Sequence, residues 1–466
     1  MTDNPYDIVI IGSGPGGYVA AIRAAQLGFT VACIEKEETF GGTCLNVGCI
    51  PSKALLQSSE QYAFMSEEGK EHGIECKELR VNFKQMMHRK EGVVDSLVKG
   101  VAGLLKRNKV ETFHGTAQFA SPNVVEVTNG NKKIEVHGKN FVLATGSESI
   151  ELPFLPFDEK VVLSSTGALS LSKVPKKMVV VGAGVIGVEL ASVYNRLGTE
   201  VTIVEMLDHV CPGMDGTISR NLHHILTKQG LTFHLSVQVT DAKIAKNKVT
   251  LDVKTGKEQI SLTADVVMVA IGRKPYTEGV GLERIGIEKT PKGFIPVDQS
   301  FRTSQPHIYA IGDIVEGPML AHRASEEGIA VVELIAGLTP HINYMAIPNV
   351  IYTHPEVAAV GITQEEGKGL GLQLKVGTFS FKGNPRARCV GYTEGMVKVI
   401  GEASSGKLLG MHILGPHASE MIGEGVLALE KRATLEELAN ASHAHPTLCE
   451  AIKEAALNAL GRAIHM

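Results

Sequence analysis

The sequence predicts an α/β fold, in which two similar strand–turn–helix–strand units precede a separate C-terminal α+β domain. Two observations carry this prediction. Residues 8–35 match residues 178–205, and every matching position is displaced by the same distance along the chain. From about residue 347 onward, the pattern changes to short alternating strands, followed by helical stretches at roughly 418–431 and 447–461.

Each repeated segment reads as a buried parallel strand, a G-x-G-x-x-G turn, a helix and a second strand that ends in glutamate. The first glycine of such a turn permits a sharp bend, the second lets the backbone approach a pyrophosphate, and the third allows close helix packing. The glutamate is suited to bind ribose hydroxyls. One glycine-rich loop alone is a weak signal, but two in matching contexts predict two dinucleotide sites. The residues are Gly12, Gly14, Gly17 and Glu35 in the first unit, and Gly182, Gly184, Gly187 and Glu205 in the second.

Two features assign a different dinucleotide to each unit. The residues that follow Glu205 are Met, Leu and Asp, without an arginine to hold a 2′-phosphate, so the second unit is predicted to prefer NAD over NADP. The first unit is followed by two cysteines, Cys44 and Cys49. A flavin relays electrons between a dithiol and a nicotinamide, so the first unit is predicted to bind a flavin nucleotide.

The two cysteines lie in the run GGTCLNVGCIPSK, which begins at Gly41. In a regular helix their spacing would put the Cα atoms about 8–9 Å apart, whereas a disulfide needs roughly 4.4–6.8 Å. A disulfide between Cys44 and Cys49 therefore requires a tighter backbone, which Gly48 and Pro51 favour. A pair of buried, unreactive cysteines is the alternative in a cytosolic chain, and the flanking motif favours the redox role.

Three further apolar strands, at 141–146, 266–273 and 308–313, each end in a tight turn. The first two are predicted to close the nucleotide unit that precedes each of them. Asp313, at the end of the third, is suited to bind a ribityl hydroxyl or a phosphate-binding edge, with a helix N-cap as the alternative. Residues 53–109 read as mostly helical, with packing stripes rather than a binding motif.

The C-terminal domain carries the run HAHPTLCE, which contains a candidate base. Thiols have pKa values near ~8.5, so a histidine held by a carboxylate is suited to take a substrate proton at neutral pH. His445 and Glu450 are predicted to form this pair, because Pro446 can start a helix that brings Glu450 round. The alternatives are a metal site with His443, or a surface or core role for either histidine. Cys449 is predicted to be a packing residue rather than a third redox cysteine.

Composition limits the class of protein. The chain has 466 residues, enough for about three domains, and its net charge of −4 offers no basic surface for nucleic acid or an anionic membrane. Its seven scattered cysteines do not suggest a secreted disulfide framework, and no metal site is expected. No apolar run reaches the ~20 residues of a membrane span, and the first strand directly follows residues 1–5. We therefore expect no targeting peptide and a cytoplasmic location.

The order of these motifs resembles the pyridine nucleotide–disulfide oxidoreductase family from one end of the chain to the other. The two glycine fingerprints, the run GGTCLNVGCIPSK and the motifs AIGR, YAIGD and HAHPTL carry the resemblance. Within the family, the chain looks like the branch that oxidises protein-bound dihydrolipoamide with NAD. That branch implies FAD and NAD as cofactors, and a homodimer that serves the lipoyl domain and acyltransferase core of 2-oxo acid dehydrogenase complexes, or glycine cleavage.

The resemblance also implies an architecture. It is a glutathione-reductase-like fold with two Rossmann-like dinucleotide-binding domains and a C-terminal α+β dimerisation domain. The implied boundaries are 1–147 for the FAD domain, 148–276 for the NAD domain, 277–346 for a central domain that completes the FAD side, and 347–466 for the dimerisation domain.

The resemblance further implies a role for each site residue. Cys44 would be the interchange cysteine that meets the substrate, and Cys49 the charge-transfer thiolate against the flavin. Lys53 would lie near the flavin N5 and pair with Glu189. FAD would contact Gly12, Gly14, Gly17, Glu35, Thr43, Lys53, Gly115, Gly146, Asp313 and Ala321. NAD would contact Gly182, Gly184, Gly187, Glu205, Ala270, Gly272 and Arg273.

The implied base acts across a subunit interface. His445 and Glu450 would reach into the active site of the partner subunit, and the bond between His445 and Pro446 would be cis. The family usually has Ser or Thr where this chain has Cys449. We expect this thiol to have a small effect on how Glu450 is held.

Two alternatives remain open. One is a related NAD(P)H-dependent disulfide reductase such as a glutathione reductase, although glutathione-type enzymes need arginines that the second unit lacks. Mercury and large thioredoxin reductases also resemble the chain, but they carry a C-terminal redox pair that residues 461–466 do not contain. The other alternative is a flavin-binding subunit with a structural role in a multienzyme complex.

Overall fold

A computed structural model describes residues 4–245, 248–256 and 258–465. Within these residues the chain forms two compact units. The first unit consists of the residues up to Leu55, Lys84–Ile150 and Gly272–Ile342, and the second of Leu56–Phe83, Glu151–Ile271 and the residues from Asn343 onward. The four domain boundaries implied by the sequence stay a prediction.

A parallel sheet lies at the centre of the first unit. Its strands follow the order Glu111–His114, Val31–Glu35, Tyr6–Ile11, Lys132–Leu143 and Ile308–Ala310. Ile8, Val9 and Ile10 are fully buried, as expected for a parallel strand covered on both faces. The strand that ends at Leu143 pairs with Tyr6–Ile11, which confirms that it closes the first nucleotide unit.

Two antiparallel arrangements extend this unit. The first half of Lys132–Leu143 pairs with Val124–Asn129, which in turn pairs with Thr116–Ser121. Ser147–Ser149 pairs with Arg273–Pro275. The second pairing sets the side chain of residue 273 beside the turn that follows the strand end at Leu143.

The second unit contains a similar parallel sheet. Its strands follow the order Thr232–His234, Glu200–Val204, Lys177–Val181, Val266–Val269 and Val162–Leu163. Val266–Val269 pairs with Lys177–Val181, so the second predicted closing strand is also confirmed. An antiparallel sheet of Val237–Ala245, Lys248–Thr255 and Glu258–Ala264 shares a hydrophobic core with it.

An antiparallel sheet forms the C-terminal part of the second unit. Its strands follow the order Asn349–Ile351, Glu356–Gly361, Leu408–Gly415, Met396–Glu402 and Leu374–Ser380. The helices Ala418–Glu430 and Glu450–Ala459 share a core with this sheet that includes Val399, Met411 and Ile452. This arrangement confirms the predicted α+β character of the C-terminal region.

The helix ends confirm the internal repeat. Gly28 and Gly198 follow the two equivalent helices with φ of 91° and 94°, a left-handed conformation that favours glycine. The α-helices are Pro15–Gln26, Gly42–Val47, Cys49–Ala63, Phe83–Arg107, Ser165–Ala168, Val185–Arg196, Gly216–Lys228, Ala321–Ile335, Gln364–Gly369, Pro385–Val390, Ala418–Glu430, Leu435–Asn440 and Glu450–Ala459. Short 3₁₀ turns lie at Leu282–Ile285, Gly312–Ile314, Tyr344–Ala346 and Phe381–Gly383, and a π-helical turn lies at Phe64–Glu68.

These elements confirm the predicted fold class. Two Rossmann-like units with parallel sheets are combined with a C-terminal α+β region. In the part of the chain that the structure describes, no helix is long and apolar enough to cross a membrane.

Candidate active site

The first glycine loop joins the strand Tyr6–Ile11 to the helix Pro15–Gln26. Gly12 has φ of 100°, and a Cβ there would lie 2.3 Å from the carbonyl oxygen of Ala144. A Cβ on Gly17 would lie 1.8 Å from the carbonyl oxygen of Gly12. Both positions therefore require glycine, one for the turn and the other for close packing of the helix.

The second glycine loop repeats this geometry. A Cβ on Gly182 would lie 2.4 Å from the oxygen of Ala270, and a Cβ on Gly187 would lie 2.1 Å from the oxygen of Gly182. Gly14 and Gly184 are the N-cap residues of the two helices, and no side chain among the described residues caps either one. The backbone N–H groups at both helix N-termini are thus suited to bind a pyrophosphate.

Glu35 and Glu205 tie the ends of equivalent strands to the glycine loops. Oε2 of the buried Glu35 accepts hydrogen bonds from Ser13 N at 3.0 Å and from Ser13 Oγ at 2.6 Å. Glu205 accepts from Ala183 N at 2.7 Å and from Leu207 N at 2.9 Å. Each carboxylate keeps lone pairs for a ribose hydroxyl. The sequence identified both acids but missed their loop partners, because these partners occupy unspecified positions of the motif.

The segment that carries the cysteines is attached directly to the first glycine loop. The N–H of Gly41 donates to the carbonyl oxygen of Ser13 at 3.0 Å and to its Oγ at 3.2 Å. Gly42 has φ of 58°, and a Cβ there would lie 2.6 Å from Cα of Gly14. The two backbones are therefore in contact, and this contact sets Cys44 beside the nucleotide loop.

Two helices, Gly42–Val47 and Cys49–Ala63, meet at Gly48. Gly48 has φ of −138° and ψ of −112°, so the helix is interrupted between the cysteines. A Cβ on Gly48 would lie 2.8 Å from the carbonyl oxygen of Thr43 and 3.2 Å from Cα of Cys44. Only glycine lets the chain pass this close, and the helix is interrupted at the residue that the sequence indicated; a disulfide between the two cysteines stays a prediction.

Cys44 and Cys49 are free thiols of intermediate exposure, and their side chains are hydrogen-bonded to each other. This hydrogen bond, then burial and the negative charge of Cys49, raise the pKa of Cys44 well above its usual value. The Cys49 backbone and the charge of Lys53 have weaker, opposite effects.

Arg273, Ser147 and Asp313 form a hydrogen-bonded chain in the first unit. The guanidinium of Arg273 donates to Ser147 Oγ at 2.7 Å and to Ser147 O at 2.6 Å. The Ser147 hydroxyl donates to Asp313 Oδ2 at 2.5 Å. Burial lowers the pKa of Arg273, while the charges of Asp313 and Cys49 oppose this effect. Asp313 lies in the 3₁₀ turn Gly312–Ile314 and is not a helix N-cap, and Ser147 is a partner that the sequence did not reveal.

Other predicted FAD contacts lie at turns and helix starts of the first unit. The N–H of Gly115 donates to the carbonyl oxygen of Glu35 at 2.8 Å, and the carbonyl oxygen of Gly146 accepts from Tyr276 N at 2.8 Å. Ala321 is the first residue of its helix. Thr43 is exposed in the helix that carries Cys44.

Three predicted NAD contacts, Ala270, Gly272 and Arg273, follow the second closing strand in sequence but belong to different units. The N–H of Ala270 donates to the carbonyl oxygen of Val181 at 2.7 Å in the second unit. Gly272 and Arg273 belong to the first unit, where the arginine binds Ser147. Their contact with NAD stays a prediction.

The resemblance implies that Lys53 and Glu189 form a pair near the flavin. Lys53 lies on the helix that begins at Cys49. Glu189 is buried, with 3% of its surface exposed, and its Oε1 accepts a hydrogen bond from Tyr352 N at 2.9 Å in the second unit. The pairing between the two charges stays a prediction.

His445 and Glu450 are brought together as predicted. Nδ1 of His445 lies 2.9 Å from Oε1 of Glu450, and the N–H of Thr447 donates to Oε2 at 2.8 Å. Burial raises the pKa of Glu450, but the hydrogen bonds from Thr447 and His445 outweigh it, so the pKa lies below its usual value. The carboxylate is therefore charged beside the imidazole. The peptide bond between His445 and Pro446 is cis, as predicted.

The helix predicted to start at Pro446 starts at Glu450, so that prediction was wrong. The carbonyl oxygen of Thr447 accepts a hydrogen bond from Asn384 Nδ2 at 3.0 Å, and the N–H of Thr447 binds the Glu450 side chain. Both backbone groups of Thr447 are thus used outside a helix. This turn, rather than a helix, brings the carboxylate to His445.

Cys449 and His443, the other two candidate residues of the C-terminal run, contact the C-terminal core and Glu424. Cys449 packs against the C-terminal core, as predicted, and burial followed by the charge of Glu424 raises its pKa. Nε2 of His443 lies 3.0 Å from Oε1 of Glu424, and this hydrogen bond raises the pKa of His443. Among the described residues, no three His, Cys, Asp or Glu side chains gather closely enough to hold a metal ion.

Comparison with known proteins agrees with this geometry. Residues 6–328 match the family described as pyridine nucleotide-disulphide oxidoreductase, and residues 347–456 match the dimerisation domain of that family. The chain belongs to this family. It is 51% identical to the mitochondrial dihydrolipoyl dehydrogenase of Sus scrofa, over 98% of this chain and 92% of that protein. It is 50% identical to the dihydrolipoamide dehydrogenase of Chaetomium thermophilum, over 100% of this chain and 93% of that protein.

Solved structures of the pyridine nucleotide-disulphide oxidoreductases share the fold. LpdA from Mycobacterium tuberculosis has a TM-score of 0.90 at 26% identity, over 97% of this chain and 99% of that chain. The HOCl-induced flavoprotein disulfide reductase RclA from Escherichia coli, as its Cu(II) complex, has a TM-score of 0.87 at 27% identity, with the same coverage. Family membership confirms the resemblance inferred from the motifs, and with it FAD and NAD as the cofactors. The dimerisation domain supports a homodimer.

Proposed function

We propose that this chain oxidises protein-bound dihydrolipoamide to lipoamide and reduces NAD to NADH, by way of Cys44, Cys49 and bound FAD. The observation that carries the proposal is the hydrogen-bonded cysteine pair, which Gly41 and Gly42 attach to the first glycine loop. Identity of about 50% to dihydrolipoyl dehydrogenases over nearly the full length favours this substrate over glutathione.

The residues of the first unit fit FAD. The helix N-terminus at Gly14, which no described side chain caps, suits the pyrophosphate, and Glu35 suits the ribose. The close approach of Gly42 to Gly14 suits a nucleotide that binds along the main chain. We assign FAD to Gly12, Gly14, Gly17, Glu35, Thr43, Lys53, Gly115, Gly146, Asp313 and Ala321. When bound, FAD supplies an acceptor for the two electrons of a dithiol, and NAD removes them as hydride.

The residues of the second glycine loop fit NAD in the same way. Glu205 follows the equivalent strand, and residues 206–208 include no arginine for a 2′-phosphate, which supports NAD over NADP. We assign NAD to Gly182, Gly184, Gly187, Glu205, Ala270, Gly272 and Arg273.

The substrate step is a thiol–disulfide exchange. In the oxidised protein, Cys44 and Cys49 form a disulfide, and a substrate thiolate attacks Sγ of Cys44. The disulfide breaks and Cys49 leaves as a thiolate. The second substrate thiolate then attacks the first substrate sulfur, which releases lipoamide and frees Cys44. The hydrogen bond between the two cysteine side chains supports this exchange, because it shows that the two sulfur atoms lie close to each other.

His445 is the proposed base for the substrate thiols. Its Nδ1 is held by the charged carboxylate of Glu450, which leaves Nε2 to exchange the proton and stabilises the ring once it is protonated. Both residues lie in the region that matches the dimerisation domain, and we propose that they act in the active site of the partner subunit.

Lys53 and Glu189 are the remaining proposed pair. A cation at Lys53 supports a reduced flavin, and the buried carboxylate of Glu189 offsets the desolvation of that cation. The hydrogen bond from Tyr352 N to Oε1 of Glu189 supports a charged carboxylate at this position.

We propose that a homodimer serves the lipoyl domain and acyltransferase core of 2-oxo acid dehydrogenase complexes, or glycine cleavage. A cytoplasmic location stays a proposal, and relatives such as the enzyme from Sus scrofa are mitochondrial by name.

The test is the initial rate of NADH formation from dihydrolipoamide and NAD, with NADPH and oxidised glutathione as the control pair. We expect a fast first reaction and no second one. The opposite result would replace dihydrolipoamide with a glutathione-type substrate. Activity of the complex that survives loss of Cys44 would instead favour a structural flavin-binding subunit.

A further inference from the structure

A buried ion pair in the second unit takes no part in the proposed chemistry. Lys398, on the strand Met396–Glu402, is 2% exposed, and Asp215 is fully buried. Nζ of Lys398 donates to Asp215 Oδ1 at 2.8 Å and to Oδ2 at 2.7 Å. Burial of two charges is unfavourable unless they are paired and fully hydrogen-bonded, so the remaining contacts of this pair indicate what it does.

Asp215 caps the helix Gly216–Lys228. Its Oδ1 accepts a hydrogen bond from Thr217 N at 2.9 Å, and its Oδ2 accepts one from Gln364 N at 3.3 Å. Lys398 Nζ also donates to Thr217 Oγ1 at 3.2 Å. Burial raises the pKa of Asp215, but the hydrogen bond and charge of Lys398 outweigh it, so the carboxylate is charged. The first turn of this helix is thereby fixed to the C-terminal sheet.

The start of this helix holds the segment that follows Glu205. Ser219 Oγ donates to the carbonyl oxygen of Val210 at 2.6 Å, and Cys211 N donates to the carbonyl oxygen of Ala183 at 2.9 Å. Ala183 belongs to the second glycine loop, and its own N–H binds Glu205. Contacts therefore run without interruption from the buried lysine to the loop and the acid assigned to NAD.

The segment between Glu205 and Asp215 depends on these anchors. Met206 is 69% exposed and Leu207 is 39% exposed, and the carbonyl oxygen of Leu207 accepts a hydrogen bond from Ser236 N at 2.9 Å. Val210 and Cys211 are buried, so the end of the segment nearer the helix is the part that is packed. Cys211 has φ of 51°, a left-handed conformation that a residue other than glycine keeps only when its surroundings fix it. A loss of the anchor at the helix start would therefore let the segment relax.

We propose that Lys398 is a positioning residue for NAD. By pairing with Asp215, it keeps residues 206–215 in the conformation that sets Glu205 and the second glycine loop for the nucleotide. The inference rests on the proposed assignment of NAD to this loop. Lys398 does not act on the dithiol, so its removal should weaken NAD binding and leave the reaction of dihydrolipoamide with the cysteines and flavin unchanged.

The experiment compares Lys398→Met with Lys228→Met. Lys228 ends the same helix and pairs with Glu394 at 3.3 Å, but both side chains are exposed, so it is a matched control of little energetic weight. Two quantities are measured in each FAD-loaded protein: the Kd for NAD by calorimetry, and the rate of the flavin absorbance change with dihydrolipoamide alone. Lys398→Met should bind NAD about tenfold more weakly at an unchanged flavin rate, and Lys228→Met should match the wild type in both.

Loss of Lys398 alone leaves Asp215 buried without its partner, which can impair folding. The double variant D215N/K398M removes both charges and keeps an amide able to cap Thr217, so it should fold and still bind NAD about tenfold more weakly. Hydrogen exchange of residues 206–215 should be faster in both Lys398 variants and unchanged in Lys228→Met.

The outcomes separate this inference from the proposed function. NAD affinity at the wild-type level in both Lys398 variants would overturn the positioning role. Equal losses of NAD binding and of the flavin reaction would also overturn it, because they indicate a general structural role. Failure of the wild-type protein to bind NAD would instead overturn the proposed function, on which the inference rests.

Discussion

Replacement of Gly42 with alanine tests whether contact between the redox segment and the first glycine loop is needed for electron transfer. A Cβ at Gly42 would lie 2.6 Å from Cα of Gly14, whereas carbon atoms in contact lie about 3.5–4.0 Å apart. The backbones must therefore separate by about 1 Å, and such a shift at a reacting group typically lowers the rate ~10²-fold. The φ of 58° adds about 1–2 kcal/mol of destabilisation for alanine.

Gly28→Ala is the matched control, because Gly28 also has positive φ, at 91°, but no described atom lies within 4 Å of the added Cβ. It should lower the free energy of unfolding by a similar amount and leave the reaction rate unchanged. The assay is the stopped-flow change in flavin absorbance on mixing with dihydrolipoamide, with thermal unfolding measured alongside. A Gly42→Ala protein that reacts at the rate of Gly28→Ala would refute the reasoning.

Three further substitutions test other contacts of the site. Glu450→Gln removes the negative charge beside His445 and should lower the rate of NADH formation on the order of 10²-fold in steady-state assays, with NAD binding unchanged as the control. Ser13→Ala removes the hydroxyl that is hydrogen-bonded to both Glu35 and Gly41. The affinity for FAD, measured from the FAD that the protein retains after dialysis, should fall about tenfold, and undiminished retention would contradict this. The hydrogen bond to Glu424 raises the pKa of His443 above 6.5, so its stabilisation is complete below that pH and is lost as the pH rises through the raised value. Glu424→Gln should therefore lower the unfolding temperature more at about pH 6 than at about pH 9, and an equal loss at both would contradict the pairing.

Sequence patterns predicted the parts of the molecule in which residue type determines local geometry. Gly12 and Gly182 occupy turns with positive φ that other residues rarely adopt, so their spacing located both nucleotide loops and the parallel sheets around them. Gly48 likewise had to allow a close approach if the cysteines were to meet, and the helix is interrupted at that residue. In each case a steric requirement of the backbone is visible as a single residue type.

Contacts between distant segments could not be read in the same way. Arg273 lies four residues after the strand Val266–Val269 of the second nucleotide unit, yet its guanidinium binds Ser147, 126 positions earlier. Thr447 holds Glu450 through its backbone N–H, which no residue type signals. Because of that contact and the hydrogen bond from Asn384, the last helix begins at Glu450. Pro446 alone favoured a start earlier in the chain. Such partners are set by tertiary packing.

The most direct test of the account is NADH formation from dihydrolipoamide and NAD by a Cys49→Ser protein loaded with FAD. Oxidation of NADH by ferricyanide, which needs the flavin but not the dithiol, serves as the control for bound cofactors. The account predicts that dihydrolipoamide-driven NADH formation falls at least ~10³-fold while the ferricyanide reaction remains, because a protein without the Cys49 sulfur cannot form the disulfide that accepts the substrate electrons. NADH formation at the wild-type rate would contradict the central claim that the cysteine pair lies between the substrate and FAD.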